Sequence, residues 1–277
     1  MSTTGFGARL AAATATHGPL CVGIDPHASL LAAWGLPDDV AGLERFARTA
    51  AEALAPVCAV VKPQAAFFER HGAAGVAVLE RTLADLRAGG TLSLLDVKRG
   101  DIGSTSQAYA DAYLDPASPL AADAITVSPY LGFGSLDPFV ATARHHGGGL
   151  FVLALTSNPE GPQVQHARTA SGATVAAEVL EALRALNAPE RAVGALGSFG
   201  AVVGATITPG GHDLGIDGPL LAPGFGAQGG TVADLHRVFG AAYPQVLPSS
   251  SREVLSRGPD VAALREAVTA LQEQLRG

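Results

Sequence analysis

Charged side chains that could take part in catalysis cluster at the end of one apolar run of this chain. Asp96 and Lys98 stand two residues apart there, and Asp101 follows in the next loop. Because successive side chains of a strand point to opposite faces, Asp96 and Lys98 would share one face and Val97 would lie on the other. A lysine beside two aspartates stays protonated. The spacing therefore indicates a charged site, although it also occurs at ordinary salt-bridged strand ends.

The distribution of lysine favours a functional site over a salt-bridged strand end. Lys62 and Lys98 are the only lysines in the sequence, and each ends an apolar run. Solubilising lysines would instead lie on exposed, charged helix faces. Neighbouring strands would bring Lys62 next to Asp96, and buried Lys and Asp side chains are tolerated mainly within satisfied networks. We therefore predict that Lys62, Asp96 and Lys98 form one such network.

Two stretches near the C-terminus predict a phosphate site. Residues 223–230 are rich in glycine and follow the seventh apolar run, while residues 249–253 follow the eighth and open a helix. Free backbone N–H groups at a helix start bind anions, and Arg252 would add a cation there. Ser104 and Thr105 are predicted to cap the helix after Asp101, whose free N–H groups could also meet an anion.

Eight short apolar runs alternate with amphipathic stretches along the chain. The runs are interpreted as buried strands and cover residues 20–24, 59–61, 92–95, 124–127, 150–155, 201–206, 220–222 and 245–247. The amphipathic stretches are interpreted as helices and cover residues 39–55, 75–88, 105–114, 136–145, 174–186, 232–239 and 260–275. This alternation predicts a parallel α/β fold whose sheet is covered on both faces.

The polar residues at the strand ends favour a closed (β/α)8 barrel, a TIM barrel, over an open doubly wound sheet. Barrel active sites are built at the C-terminal ends of the strands, and a polar residue follows nearly every run. These residues are Asp25, Lys62, Asp96, Ser128, Ser157, Gln228 and Arg252. No linker divides the chain, so we expect one barrel domain over residues 1–277, with a short N-terminal helical extension and a C-terminal helix. Residues 158–172 are long enough for a lid but could equally be a surface loop.

Composition and charge exclude several classes of function. Lys and Arg number 18 against 25 Asp and Glu, a formal net charge of −7, so no basic surface for nucleic acid is expected. The apolar runs are far shorter than the roughly 18 residues of a membrane span, and the N-terminus has no signal-peptide pattern. Cys21 and Cys58 stand in apolar surroundings typical of buried thiols in a reducing compartment. We therefore expect a cytoplasmic protein that binds neither nucleic acid nor membrane.

The motifs together resemble those of the orotidine 5′-phosphate decarboxylase family in its longer form, common in bacteria. The resemblance spans residues 20–255 and rests on residues 23–25, 61–63, 96–105, 156–159, 223–230 and 251–252. The charged spacing around Lys98 also occurs in sugar-phosphate relatives, but its combination with Lys62, Gln228 and Arg252 is specific. The resemblance implies a barrel that converts orotidine 5′-monophosphate to UMP and CO₂ in pyrimidine biosynthesis, with no metal and no organic cofactor.

The resemblance also implies a role for each matched residue. Lys98 would donate a proton, Asp96 would lie near the departing carboxylate, and Lys62 would bridge the ribose and Asp96. The substrate-binding residues would be Asp25 at the ribose, Ser157 at the pyrimidine edge, Gln228 between base and phosphate, and Pro223, Ser251 and Arg252 around the phosphate. Asp101, Ile102 and Thr105 would reach across the interface of a homodimer into the partner's site.

Three other functions stay open at this point. The nearest is a metal-dependent sugar-phosphate decarboxylase or aldolase on the same scaffold, although Lys62 stands where such relatives carry an acidic metal ligand. A second is an aldolase that forms a Schiff base through Lys98 or Lys62, although a protonated lysine is a poor nucleophile. A third is a binding protein for a phosphorylated ligand. The eight histidines show no metal-ligand spacing, so no metal site is predicted.

Overall fold

The structure, a computed structural model, describes residues 4–208, 210–226 and 229–276. Within these residues eight parallel strands close into a barrel in chain order, and the last strand pairs back to the first. The strands are β1 (Cys21–Ile24), β2 (Val60–Pro63), β3 (Leu92–Arg99), β4 (Ala124–Val127), β5 (Gly149–Leu155), β6 (Phe199–Val203), β7 (Leu220–Pro223) and β8 (Val246–Ser250). The predicted (β/α)8 barrel is confirmed. The open sheet is excluded because Cys21 and Val22 of β1 pair with Ser249 and Ser250 of β8.

Helices surround the barrel and connect its strands. They are α1 (Phe6–His17), α2 (Ala28–Ala33), α3 (Val40–Leu54), α4 (Ala66–Glu69), α5 (Gly72–Ala88), α6 (Gly103–Leu114), α7 (Asp137–His146), α8 (Pro162–Gln165), α9 (Val175–Ala192), α10 (Val232–Phe239), α11 (Arg252–Leu255) and α12 (Val261–Arg276). Two 3₁₀ helices, Phe133–Leu136 and Gly240–Gln245, complete the connections. All seven predicted helices are present, the last of them as the C-terminal helix α12, and α1 precedes the first strand.

Helix α3 illustrates how the sequence pattern builds the outer layer. The Asp39 side chain accepts a hydrogen bond from the backbone N–H of Gly42 at 2.9 Å and so caps the helix start. Apolar residues then recur every three or four positions, which places them on one face of the helix. That face is buried against the barrel and consists mainly of Leu43, Phe46, Ala47, Ala50 and Leu54. Helices α5, α7 and α9 also bury apolar residues on one face.

Helix α1 closes the N-terminal end of the barrel. The buried Phe6 ring packs edge to face on Phe151, with 6.0 Å between the ring centroids. Gly149 must lack a side chain here, because a Cβ at that position would come within 2.4 Å of the Phe6 ring. An ion pair between Arg9 and Asp123 fastens the helix to the barrel. Helix α1 therefore covers this end of the barrel, and the strands finish at the opposite end.

The strand boundaries differ from the prediction mainly at the C-terminal ends. β3 continues to Arg99 and β8 continues to Ser250, although the apolar runs end at residues 95 and 247. The polar residues Asp96, Ser249 and Ser250 in these extensions line the open end of the barrel, where a side chain needs no apolar character. The sixth strand occupies Phe199–Val203 and not residues 201–206.

The segment predicted to be irregular after β5 contains local structure. Helix α8 lies within it, and Arg168 pairs with Thr174 in an antiparallel bridge. The Gln165 side chain accepts from the backbone N–H of Thr156 at 2.9 Å and donates to the Thr156 hydroxyl at 2.7 Å. These two bonds tie α8 to the end of β5. A lid function for residues 158–172 stays a prediction.

Candidate active site

A cavity of about 350 Å³ opens at the C-terminal end of the barrel. Every strand, or the loop that follows it, supplies part of its wall. Polar and charged residues around it include Asp25, Lys62, Gln64, Asp96, Lys98, Thr126, Thr156, Ser157, Asn158, Ser250, Ser251 and Arg252. Apolar residues include Leu153, Val202, Leu221 and Phe225. This mixture suits a small molecule with both an uncharged ring and charged groups.

Asp96 lies at the centre of the polar network. Its Oδ2 atom accepts from Lys62 Nζ at 3.1 Å and from Gln64 Nε2 at 2.9 Å. Its Oδ1 atom accepts from Lys98 Nζ at 2.6 Å and from Thr126 Oγ1 at 2.7 Å. Four donors on two oxygens saturate the carboxylate, so its orientation is fixed. The predicted network of Lys62, Asp96 and Lys98 is therefore present.

Burial and charge act against each other in this network. Burial alone would raise the pKa of Asp96, but the Lys62 and Lys98 ammonium groups and the hydrogen bonds hold it well below its usual range. Burial would also lower the pKa of Lys62, but the Asp96 and Asp25 carboxylates keep it raised. Lys62 Nζ lies 4.0 Å from Asp25 Oδ1, an oxygen that makes no hydrogen bond within the described part of the chain. Asp96 and Lys62 therefore both carry charge at neutral pH.

Replacing Asp96 by alanine is expected to lower the free energy of unfolding by about 3 to 5 kcal/mol, because it leaves the buried Lys62 charge without its main partner. Denaturant unfolding at pH 7 measures the loss. Since the folded-state pKa of Asp96 lies below its unfolded value, its contribution is complete above about pH 4 and is lost as the pH falls through the folded-state value.

A surface ion pair provides the matched control for that variant. Arg48 and Asp85 are joined at 2.7 Å, with 49 % and 34 % of their side chains exposed. Asp85→Ala should cost less than about 1 kcal/mol, because solvent screens the pair. Equal losses for Asp85→Ala and Asp96→Ala would contradict a tightly coupled buried network at Asp96.

The predicted phosphate site lies on the opposite wall from Lys98, at the ends of β7 and β8. Pro223, Ser251 and Arg252 line the cavity there, and α11 begins at Arg252 as the sequence indicated. The Arg252 side chain is exposed and forms no ion pair with any other residue that the structure describes. Gly224 adopts φ +102, a conformation that favours glycine, so the chain can turn back tightly around this corner. The arrangement leaves a cation free for an anionic ligand.

The predicted site residues fall into three groups. Asp25, Lys62, Asp96, Lys98, Ser157, Pro223, Ser251 and Arg252 line the cavity. Asp101, Ile102 and Thr105 do not line it. Gln228 lies outside the described residues. The roles assigned to all of these residues stay predictions.

The predicted capping by Ser104 and Thr105 is wrong. Helix α6 already begins at Gly103, its capping position is Ile102, and no side chain caps it. Gly103 can take the required φ of +53 at the point where the chain turns into the helix, so the helix begins two residues earlier than it would with Ser104 as its cap. Ser104 and Thr105 therefore lie exposed in the first turn.

The sequence pattern did not identify three polar residues of the cavity, Gln64, Thr126 and His27. Gln64 and Thr126 both donate to Asp96, and His27 packs edge to face on Phe67 with 4.4 Å between ring centroids. Thr126 lies on the inward face of β4. A polar residue within an otherwise apolar run could have identified it as a candidate site residue. Gln64 and His27 follow strand ends but have no motif of their own.

An exposed apolar cluster lies beside the site. Ile102 is 62 % exposed, Tyr130 is 76 % exposed and Leu131 is 53 % exposed. They belong to the loops after β3 and β4, which are held together where Ser128 N–H donates to the Arg99 carbonyl at 2.8 Å. Exposed apolar side chains grouped in this way typically mark an interaction surface.

Neither a metal-ligand cluster nor a membrane-spanning helix is found among the described residues. Across residues 4–208, 210–226 and 229–276, no three His, Cys, Asp or Glu side chains are grouped so that they could hold a metal ion. Cys21 and Cys58 are free and buried, and burial raises the pKa of Cys21 to about 12. No helix in the described part of the chain is long and apolar enough to cross a membrane.

Fold and site together define a (β/α)8-barrel enzyme with a lysine–aspartate–lysine network at its mouth. The chain belongs to the orotidine 5′-phosphate decarboxylase / HUMPS family, whose model matches residues 18–267. The family predicted from the motifs is therefore confirmed.

Individual relatives cover almost the whole chain. Orotidine 5′-phosphate decarboxylase of Nocardioides sp. is 67 % identical over 275 residues, which is 98 % of each chain. The enzyme of the same name from Streptomyces coelicolor is 62 % identical over 98 % of this chain and 97 % of its own. A crystal structure of a presumed orotidine 5′-phosphate decarboxylase from Streptomyces avermitilis superposes with a TM-score of 0.96 at 62 % identity, covering 100 % of this chain and 96 % of the other. The predicted enzyme class, a decarboxylase and thus a carbon–carbon lyase, is confirmed.

Proposed function

We propose that this enzyme decarboxylates orotidine 5′-monophosphate to UMP and CO₂, a step of pyrimidine nucleotide biosynthesis, and that residues 1–277 act as a single barrel domain. The observation that carries the proposal is the Asp96 carboxylate fixed between two lysines at the barrel mouth. The deciding test is loss of orotidine 5′-monophosphate absorbance with purified protein treated with EDTA. A rate that depends on added divalent metal would instead favour the metal-dependent sugar-phosphate chemistry that the charged spacing also allows.

The chemistry requires an anion to be stabilised without an electron sink. The bond between the pyrimidine ring carbon and its carboxylate breaks, CO₂ leaves, and the electron pair stays on the ring carbon. Lys98 has 46 % of its side chain exposed at the mouth, so its ammonium group can reach that carbon. Its charge stabilises the developing anion, and a proton from Nζ then completes UMP. Water restores the proton to Lys98.

Asp96 would raise the energy of the bound substrate. Two unit charges about 4 Å apart repel by roughly 4 kcal/mol at an effective dielectric near 20. Because four donors fix the Asp96 carboxylate, it cannot turn away from an incoming substrate carboxylate. Binding of the distant phosphate would offset this repulsion, which disappears as CO₂ leaves.

Substrate recognition would be divided around the cavity. Asp25 and Lys62, which lie close together at the ends of β1 and β2, would bind the ribose hydroxyls. Ser157, after β5, would contact the pyrimidine edge. Pro223, Ser251 and Arg252 would surround the phosphate, with Gln228 between base and phosphate. No metal or organic cofactor takes part in this scheme.

A homodimer would complete each site. Asp101, Ile102 and Thr105 do not line the cavity of their own chain, and Ile102 is itself one of the exposed apolar side chains, with Tyr130 and Leu131. Covering that cluster with a second copy would bury apolar surface and carry Asp101 and Thr105 towards the partner's site. We also propose that the enzyme acts in the cytoplasm, a reducing compartment that suits its free, buried Cys21 and Cys58.

Replacing Arg252 by alanine is expected to weaken UMP binding about tenfold to a hundredfold, because it removes charge-assisted hydrogen bonds to the phosphate. Binding of uridine, which lacks the phosphate, should change little. Isothermal titration of both ligands measures the difference.

Arg70→Ala provides the control for Arg252→Ala. Arg70 pairs with Asp38 at the surface and does not line the cavity, so its loss should leave both affinities unchanged. If Arg252→Ala kept the wild-type affinity for UMP, the phosphate would have to bind elsewhere.

A further inference from the structure

Thr126 connects the two groups on which the proposed reaction depends. It lies on β4, lines the cavity and is only 1 % exposed. Its hydroxyl donates to Asp96 Oδ1 at 2.7 Å. The same oxygen accepts from the backbone N–H of Lys98 at 2.9 Å. One side chain therefore contacts both the fixed carboxylate and the main chain of the proposed proton donor.

The pairing of β3 with β4 explains why the Lys98 backbone needs a partner. Leu95 pairs with Ile125, but the next pair joins Arg99 to Val127. Three residues of β3, positions 96–98, therefore face the single residue Thr126 on β4. A bulge of this kind interrupts the ladder and leaves backbone groups unpaired. The Thr126 hydroxyl takes the place of the missing ladder partner for the Lys98 N–H.

The bulge also places Lys98 in an unusual backbone conformation. Its φ is +45, in the left-handed region that side chains other than glycine rarely adopt. Such conformations persist only where the surroundings hold them, and they are often found at active sites. Regular pairing resumes directly afterwards, where Ser128 N–H donates to the Arg99 carbonyl at 2.8 Å. Within the bulge, the Lys98 N–H donates to Thr126 Oγ1, which ties the Lys98 backbone to β4.

The proton count fixes the direction of both hydrogen bonds. A threonine hydroxyl carries one proton, and a backbone N–H can only donate. Thr126 must accept from Lys98 and must therefore give its single proton to Asp96. This arrangement requires Asp96 Oδ1 to be an acceptor, as a charged carboxylate is. A valine of the same shape would leave the Lys98 N–H without this partner and would remove one of the four donors from Asp96.

We propose that Thr126 is a positioning residue for the decarboxylation, which holds the bulged backbone of Lys98 and the Asp96 carboxylate in a single geometry. The expected effect on turnover rests on the proposed function, whereas the two hydrogen bonds of Thr126 do not depend on it. The hydroxyl sets where the Lys98 side chain leaves the backbone, and hence where its ammonium group meets the substrate. Thr126 does not itself contact the reacting atoms in this scheme.

Two substitutions separate the hydroxyl from the shape of the side chain. Thr126→Val is expected to lower kcat about 10²-fold, the size of effect caused by misplacing a reacting group by about 1 Å. KM should change little, because the phosphate and ribose contacts are intact. Thr126→Ser keeps the hydroxyl and should restore most of kcat. If Thr126→Val does not fold, Thr126→Ala removes the same hydroxyl with less crowding and should show the same loss.

Thr82→Val is the matched control. Thr82 is fully buried in α5, and its hydroxyl bonds only to the carbonyl of Val78 in its own helix, at 2.8 Å. Removing that hydroxyl should leave both kcat and KM unchanged. If Thr82→Val and Thr126→Val lowered kcat equally, the loss would reflect the removal of any buried threonine hydroxyl. That result would overturn the proposal.

Amide hydrogen exchange tests the same hydrogen bond without depending on turnover. Exchange at the Lys98 N–H should speed up in Thr126→Val, while Thr126→Ser and Thr82→Val should keep the wild-type rate. Unchanged exchange at Lys98 in Thr126→Val, or a kcat within about threefold of wild type, would overturn the role of Thr126. A wild-type enzyme that does not decarboxylate orotidine 5′-monophosphate would count against the proposed function, and the exchange measurement would still decide whether Thr126 holds Lys98.

Discussion

Replacing Lys98 by alanine is expected to lower kcat for decarboxylation by at least about 10²- to 10⁴-fold, the typical contribution of a positioned proton donor. The same change removes the cation that would stabilise the anion, so the loss should lie at the upper end of this range. Steady-state decarboxylation assays measure it. A rate above about a hundredth of wild type would contradict the role of Lys98 as proton donor.

The fold should survive this substitution. Lys98 has 46 % of its side chain exposed, and Asp96 keeps Lys62, Gln64 and Thr126 as hydrogen-bond donors. Circular dichroism and UMP binding provide the check that a folded, ligand-competent protein is being assayed. Lys98→Arg is a sharper companion variant, because arginine keeps the positive charge but does not give up its proton at neutral pH. Lys98→Arg should bind UMP, but its turnover should be slow because it lacks the proton donor.

Mixing two inactive variants is expected to restore activity to about a quarter of wild type, if each site draws Lys98 from one subunit and Asp101 from the other. Lys98→Ala and Asp101→Ala homodimers should each be nearly inactive. Random exchange makes half of the dimers mixed. One site of each mixed dimer combines both defects, and the other has intact Lys98 and Asp101. Half of the dimers with one good site of two gives the expected quarter.

A third protein controls for this recovery. A chain that carries both Lys98→Ala and Asp101→Ala, mixed with Lys98→Ala, contains no intact Lys98 and should recover nothing. Subunit exchange is verified by mass-tagged chains. If exchange occurs and the first mixture stays inactive, then Asp101 either serves its own subunit or plays no part in the reaction, and the proposed dimer is wrong.

The barrel and its charged network were accessible to sequence reasoning because both depend on local patterns. Parallel strands covered by helices show as short apolar runs at regular spacing, and all eight runs overlap observed strands. Lys62 and Lys98 stood out because lysine is rare in this sequence and each follows an apolar run. The C-terminal ends of parallel strands meet at one end of a barrel, so neighbouring strands had to bring Lys62 next to Asp96.

Other features depend on the register between strands, which the sequence pattern does not specify. The bulge opposite Thr126 arises where β3 and β4 lose one-to-one pairing, and nothing in residues 96–98 alone marks it. The same holds for Gln64, which reaches Asp96 from the neighbouring strand. The cap predicted at Ser104 and Thr105 is wrong because the chain turns at Gly103, so the helix begins two residues earlier than a Ser104 cap would allow.

By itself, the sequence determined the class of fold, the lysine–aspartate–lysine network and the family. Only the tertiary structure decided which neutral side chains complete that network and how the Lys98 backbone is held. The physical reason is that hydrophobic periodicity and charge are properties of short segments. Hydrogen bonds such as those of Thr126 depend on atoms about 30 positions apart coming within 3 Å, which is settled only when the strands take their register in the closed barrel.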